Sequence, residues 1–589
     1  MTELDVAIIG GGCAGTYSAW RLQQELGADA SIGLFEYSDR IGGRLYSVTV
    51  PGVPSLKAEL GGMRYIQESH KMVADLVEHL KLATRDFHMG APEPVGANCN
   101  LFYLRGRHLR LHELADPDKV PYNLSWSERG LGPTNLQIQA MDNIYPGMAN
   151  LSLCDLMKLK VFGRPLWKYG FWNLMFRVLS NEGYQFMKDS GGYDANVANA
   201  NAVTQLPATE YGDDTEFLTL CEGYQHLPLT LAEKFNAEKS GKLEAGGRIF
   251  MNHCLTEIAA GEGEYRYTLH FRPTVTTDAS TRVVDEAEPI VVRAKKIVLG
   301  LPRRALELVK CDLLDDDAQY MDDRKSVLIQ SAFKLFLAYE QPWWRTLGLV
   351  AGRSVTDLPM RQIYYFGTEG EQRGGEPFLN SLVQASYNDI STVPFWKGLE
   401  KGRAYKGYMP ACVEPGVTDP IPVTEHKATQ EMVEDCNKQI AQVHALPEIP
   451  MPYSAVYHTW NEDPYGGGWH EWKAEYRLDQ IMWRMLKPLA KEDIHICGEA
   501  YSIGQGWVEG AFCTAEQMLE SHFGLKRPRW LDKDYAIMPC PEGGCAVVAT
   551  GDEEEDGKSG LCVSTPDTAD LVEELNALTP SCLVTRDIS

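Results

Sequence analysis

Asp5-Val6-Ala7-Ile8-Ile9 runs straight into Gly10-Gly11-Gly12-Cys13-Ala14-Gly15, and no other feature restricts the fold as tightly. A continuous β-rich apolar run reads as a strand buried on both faces of a parallel sheet. Gly10, Gly12 and Gly15 form GxGxxG, and a helical pattern with Tyr17, Trp20 and Leu22 follows from Thr16 to Leu26. In such a unit the first glycine makes the turn, the second lets backbone approach a pyrophosphate, and the third lets helix and strand pack closely. The phosphates, with Cys13 and Ala14 beside them, then lie on unpaired N–H groups at the helix start. A second strand, Ser31 to Phe35, ends at Glu36, 21 residues past Gly15, the spacing of an acid that grips ribose hydroxyls. A glycine-rich loop with a surface glutamate is the weaker reading, because it leaves the strand–turn–helix–strand context unexplained. GxGxxG follows a strand here and nowhere else, which predicts one bound dinucleotide.

The chain has 589 residues, 44% hydrophobic and 23% charged, the proportions of a globular protein of several domains. A net charge of −25 repels phosphate backbones and disfavours a nucleic-acid partner. No run of 18 apolar residues exists, so no membrane span is expected. The acidic start Met1-Thr2-Glu3-Leu4-Asp5 is unlike a secretory signal, and the expectation is a cytoplasmic protein. The 14 cysteines are scattered, without CxxC or ligand spacing, so they read as thiols with no metal site, although Cys540 and Cys545 lie close together.

Tyr37-Ser38-Asp39-Arg40-Ile41-Gly42-Gly43-Arg44-Leu45 resembles the ARxGGR-like turn after the ribose acid in the flavin amine oxidases. Ile494-His495-Ile496-Cys497-Gly498-Glu499 and Gly506-Trp507-Val508-Glu509-Gly510-Ala511 resemble the two motifs that close that family's FAD site. The resemblance implies that Gly43 nears the pyrophosphate, Arg44 lies against the flavin, Glu499 meets the ribityl chain, and the helix start at Gly506 to Val508 faces the pyrimidine. Asn252 to Ile258 and Ile297 to Pro302 resemble the adenine-side elements, with the amide of Leu255 against the base. The implied fold is α/β: a Rossmann-like FAD-binding domain assembled from discontinuous segments (1–66, 216–325 and 476–525), a mixed-sheet substrate domain (67–120 and 326–475) and an inserted helical domain (121–215). Within the last, the aromatic stretch Leu156 to Met187 reads as helical. Residues 526–589 form an extension with an acidic linker at 551–557 and a possible amphipathic helix from Asp567 to Leu578.

Within the family, the motifs look closest to escapin-like and venom-type L-amino acid oxidases. Arg64 follows Gly61-Gly62-Met63, which the resemblance places at the flavin; amine and polyamine oxidases have no Arg there, whereas L-amino acid oxidases use one to take the substrate carboxylate. A guanidinium suits that task because its planar donors meet both oxygens. Lys334, in an otherwise apolar strand pattern, matches a lysine that holds a water near flavin N5. Trp469 stands where monoamine oxidases carry the cysteine bound to FAD, so the flavin should be non-covalent and Trp469 should line the cavity with Trp507. Tyr387 is the expected tyrosine supporting the carboxylate, and Tyr364 and Tyr365 belong to a venom-type segment. The implied activity is oxidative deamination of an L-amino acid, with a bulky or basic side chain, by dioxygen. The products are a 2-oxo acid, ammonia and hydrogen peroxide; a homodimer is the family habit. Asp213, Asp214 and Glu216 read as solvated surface acids, the alternative being that they meet a cationic side chain. Rival readings are an amino acid 2-monooxygenase, a primary-amine or polyamine oxidase, and a catalytically silent FAD-bearing module.

Overall fold

In the computed structural model, which describes residues 2–89, 100–205, 215–372, 380–410 and 427–545 apart from 240, 242, 245, 278, 279, 409 and 542, β1 (Thr2–Ile9) runs parallel to β2 (Ile32–Phe35). The helix α1 (Cys13–Leu26) crosses between them, starting three residues earlier than its apolar pattern suggested because Cys13 to Gly15 already turn as helix. The sheet continues as Ile249–Phe250, β2, β1, Ile290–Leu299, Tyr265–Thr277 and His253–Glu262, with Ile494–Ile496 parallel to Ile290–Leu299. Register puts Ile9 opposite both Phe35 and Leu299, and Leu299 opposite Ile496. Segments hundreds of residues apart therefore end level, and Gly10, Glu36, Gly300 and Cys497 emerge at one edge. That edge, beyond the carboxyl ends of parallel strands, is where ligands of such sheets bind. All of β2 and the inner part of β1 are buried, as their unbroken apolar runs require.

The N- and C-terminal pieces are locked by a buried ion pair. Arg21 of α1 donates twice to Glu516 of the helix Val508–Phe523, at 3.0 Å each, and Tyr17 Oη donates to the same carboxylate at 2.6 Å. Such a pair is stable only with its extra hydrogen bonds in place.

A second sheet runs Ser454–Thr459, Ala332–Tyr339, Ser381–Asp389, Gln362–Thr368, Arg353–Thr356, Leu101–Leu104 and Arg107–Arg110. Here Lys334 lies directly across from Tyr387 on one side and His458 on the other. Short helices, among them Pro133–Ile144, Leu153–Lys158, Phe171–Met175 and Asn181–Gly191, form the helical module. The stretch from Leu156 to Met187 is not one continuous helical run: Lys160–Val161 and Arg164–Pro165 pair as a small hairpin. Gly163, at φ 75°, makes its turn and Pro165 cannot continue a helix ladder.

The thiol reading needs one correction. Cys154, in the helical module, is joined by a disulfide to Cys545, 391 residues away, with Cα atoms 5.6 Å apart. Spacing along the chain carried no trace of this pairing, because folding alone brings the extension onto the module. Cys540 also lies within 4.8 Å of that pair, the sole grouping of potential metal ligands this close among the described residues. Residues 1–546 form one unit, and the predicted acidic linker and tail helix lie outside the described residues. Among the described residues no helix is long and apolar enough to cross a membrane.

Candidate active site

A cavity of about 1080 Å³ opens at the strand-end edge and reaches the second sheet. Gly10, Gly12, Cys13, Ala14, Glu36 and Leu255 line it beside Gly43 and Arg44. So do Gly62, Met63, Arg64, Lys334, Tyr387 and Trp469, and so do Glu499, Gly506, Trp507 and Val508. Two of the expected residues do not. A Cβ on Gly15 would sit 1.9 Å from the Gly10 carbonyl oxygen, and one on Gly61 would sit 2.0 Å from that of Arg44. Both glycines permit close backbone packing behind the wall.

Gly12 differs. A Cβ there would come no nearer to protein than 3.7 Å, to the Cα of Gly43, so no protein neighbour requires a glycine. These two backbones pack against each other, and Gly12, Cys13 and Ala14 at the start of α1 line the cavity beside them, a helix N-terminus of the kind that suits a pyrophosphate. Glu36 is fixed at its rim: Oε2 accepts from Gly11 N at 2.6 Å, and Oε1 accepts from Ser38 N at 2.9 Å and Ser38 Oγ at 2.8 Å.

Arg44 pairs with Glu499 at 2.8 Å and donates to Gly468 O at 3.1 Å. Glu499 also accepts from His470 N at 2.8 Å, His470 Nδ1 at 2.9 Å and Gly506 N at 3.0 Å. Burial alone raises its pKa, but Arg44, His470 and the Gly506 amide together hold it far below the usual carboxylate range. Four donors fill the acceptor sites of a carboxylate. Glu499 thus positions Arg44 and the Gly506 turn, and a ribityl hydroxyl shares a site already occupied rather than filling an empty one.

Arg64 is only 5% exposed. Its guanidinium carbon lies 4.9 Å from the ring centre of Phe217, 5.3 Å from Phe87, 5.6 Å from Tyr364 and 6.0 Å from Trp507. Ring faces favour a cation held this way. Nη1 donates to Tyr364 Oη at 3.5 Å, and that hydroxyl lies 2.9 Å from Tyr193 Oη. The tyrosine hydroxyl that meets Arg64 is therefore that of Tyr364. The expected Tyr387 instead covers Lys334, its ring centre 4.4 Å from Nζ.

Lys334 is fully buried and donates to Glu59 O at 3.0 Å, Gly61 O at 2.5 Å and Met63 Sδ at 3.5 Å. Burial pulls its pKa down to about 7, with Glu59 opposing and Arg64 adding to the fall. Glu59 itself is pushed up to about 7 by burial, although Ser47 Oγ at 2.7 Å and Tyr224 N at 2.9 Å favour its charged form. Glu59 was not singled out from the sequence, where its one signal is an acid between Ala58 and Leu60.

Trp507 caps the N-terminus of Val508–Phe523 and meets the ring of His70 edge-on at 4.6 Å. Burial lowers His70 to about 4, so it is neutral. Gly506, Trp507, Val508 and Ala511 present this helix start to the cavity, where its dipole stabilises negative charge. Trp469 stands edge-on to Tyr387 at 6.5 Å. Glu216 is exposed and outside the cavity lining, while Asp213 and Asp214 lie outside the described residues.

A parallel-sheet dinucleotide cradle that opens into a chamber with a buried arginine, a buried lysine and aromatic walls defines a flavin-dependent oxidoreductase. The chain belongs to the flavin containing amine oxidoreductase family, whose profile matches residues 14–517. It is similar to Aplysianin-A of Aplysia kurodai, 29% identical over 535 residues, covering 88% of this chain and 90% of that one. Similarity to achacin of Lissachatina fulica is 28% over 534 residues, covering 88% and 93%. An L-amino-acid oxidase of Crotalus adamanteus is 23% identical over 366 residues, 61% of this chain and 62% of that one. Among solved structures, putrescine oxidase bound to putrescine shares the fold, with TM-score 0.58, 16% identity, and 89% and 99% of the chains covered. The cofactor is FAD, held non-covalently. Cys13 and Cys254 line the cavity, and burial pushes their thiols up to about 12 and about 11, which makes poor nucleophiles of both.

Proposed function

We propose that the protein is an FAD-dependent L-amino acid oxidase that converts an L-amino acid and dioxygen to a 2-oxo acid, ammonia and hydrogen peroxide. The observation that carries this reading is Arg64, desolvated among four rings in the same cavity as the dinucleotide cradle. A buried guanidinium meeting a tyrosine hydroxyl suits a carboxylate and repels a plain alkylammonium. The Crotalus relative that bears the activity in its name supports the reading.

FAD held by the residues of the cavity wall would supply a two-electron hydride acceptor that dioxygen can reoxidise. Arg64, positioned by the Tyr364 hydroxyl behind it, holds the carboxylate and so orients the Cα–H bond. Trp507, Trp469 and Tyr387 wall the chamber and keep water away during transfer. Lys334 Nζ, fixed by Glu59 O, Gly61 O and Met63 Sδ, holds a proton beside the chamber for the oxygen half of the cycle. The homodimer belongs to this proposal, and sedimentation velocity tests it.

The deciding experiment is a peroxide assay over the twenty L-amino acids with the wild type and Arg64→Lys. Flavin absorbance serves as the loading control. We expect turnover in the wild type and a loss of at least about 100-fold in kcat/KM in the variant, because a point charge replaces a bidentate donor in a buried site. An amide and carbon dioxide as products, or undiminished turnover by the variant, overturns the reading.

A further inference from the structure

Three sulfurs meet where the extension reaches the helical module, and the chemistry above uses none of them. Cys154 belongs to the helix Leu153–Lys158 of that module and is bonded to Cys545. Cys540 is a free thiol, 2% exposed, and the three Sγ atoms lie within 4.8 Å of one another. A buried thiol at the flank of a disulfide is placed to exchange with it, because exchange proceeds by attack of one sulfur on a bonded pair.

Two of the sulfurs share one seat. Cys540 O accepts from Trp483 Nε1 at 3.0 Å, Cys545 O accepts from Arg477 Nη2 at 2.8 Å, and Cys545 N donates to Asp479 Oδ2 at 2.7 Å. Asp479 and Trp483 are four residues apart in the helix Leu478–Leu486 and so face the same way. Between the two cysteines Gly544 N donates to Pro541 O at 2.9 Å, and Gly543 and Gly544 take φ of 85° and 86°, which only glycine adopts without cost. A Cβ on Gly544 would lie 2.5 Å from Gln480 Cγ, so this turn is fitted to the helix beneath it. Cys540 and Cys545 are thus five residues apart and anchored together, whereas Cys154 is 391 residues from Cys545 and arrives on another module. Loop closure favours the local pair by roughly 10²–10³-fold whenever the module moves away.

We infer that Cys154, Cys540 and Cys545 form a thiol–disulfide exchange site, a covalent latch that ties the helical module to the extension and unties it without external oxidant or reductant. The Cys540 thiolate attacks Cys545 Sγ; the Cys540–Cys545 bond forms, the Cys154–Cys545 bond breaks, and Cys154 leaves with the electron pair and takes up the proton that Cys540 lost. One disulfide and one thiol remain. The extension stays seated on Leu478–Leu486, and the module, which lines the cavity through Thr134, Met187 and Tyr193, is released. Burial and Asp479 push the Cys540 thiol up to about 11, with Arg477 and Lys158 opposing, so the thiolate is scarce near neutral pH and the tie persists there.

The test uses the FAD-loaded full chain with iodoacetamide in mildly alkaline buffer, free of reductant, followed by acid quenching and peptide mass mapping. In the wild type we expect Cys154 to become alkylated while a peptide appears in which Cys540 and Cys545 are bonded to each other. Cys540→Ser should slow alkylation of Cys154 by at least about tenfold. Equal alkylation of Cys154 in wild type and C540S overturns the proposal, since the tie then opens without Cys540. Alkylation of Cys545 in place of Cys154 overturns it as well, because the attack falls on the other sulfur and the tie is kept. Should C540S be isolated without flavin absorbance, the wild-type map decides alone: absence of the Cys540–Cys545 bond overturns the proposal, and its appearance together with alkylated Cys154 supports it.

Discussion

Gly10, Gly12 and Gly43 build their part of the cavity from backbone, whereas the part around Arg64, Lys334, Tyr387 and Trp507 is built from side chains that reach in from separate elements. The first region suits a pyrophosphate at a helix start, and the demand is for space. The second region must distinguish one small molecule from another, and the demand is for charge and shape. Space is set by local sequence, in glycines at fixed spacing. Charge in a dry chamber is set by whichever side chains the fold assembles there, with neighbours that shift their ionisation.

Substitutions that break one region and spare the other sharpen this contrast. The largest effect is expected from Gly15→Val, whose side chain collides with the Gly10 carbonyl: the protein should be isolated without flavin absorbance and without activity. Yellow, active G15V protein contradicts the backbone account. Lys334→Met should retain flavin and its reduction by substrate but slow reoxidation by dioxygen about 100-fold, read by stopped-flow absorbance. The wild-type reoxidation rate should fall as pH rises through about 7, where Nζ loses its proton, and this limb should vanish in the variant. The sign for stability is the opposite. The folded lysine sheds its proton near 7 and the unfolded one near 10.5, so the unfolded state binds more protons in that window and stability climbs with pH across it. The smallest effect belongs outside both regions. Cys154→Ser should lower stability by about 2–4 kcal/mol, seen as a lower thermal midpoint, and leave flavin content and kcat unchanged.

The sheet was readable because β1 and β2 are buried on both faces and carry unbroken apolar runs, and because the turn after β1 needs glycines. Gly61 was read as lying at the flavin; it lies behind the wall, since a glycine required by neighbouring backbone and one required by a ligand look alike in a sequence. Arg64 and Lys334 stood out as charges in apolar or glycine-rich surroundings. Tyr364 did not stand out against Tyr387. Both lie in adjacent strands, and the register irregularity between Gln362 and Tyr364 is settled by pairing with Ser381–Asp389. Glu59 left little trace, because one acid among many reveals nothing of its burial. The Cys154–Cys545 link left none.

The sequence by itself determined the dinucleotide cradle, since strand burial and turn geometry are local properties written into neighbouring residues. It also determined the family, through motifs at both ends of the chain. Only the tertiary structure decided which tyrosine meets Arg64, which acids lose water in the chamber, and which cysteines pair. Those outcomes depend on desolvation and contact between residues distant in sequence, and neither exists until the sheets have closed around the cavity.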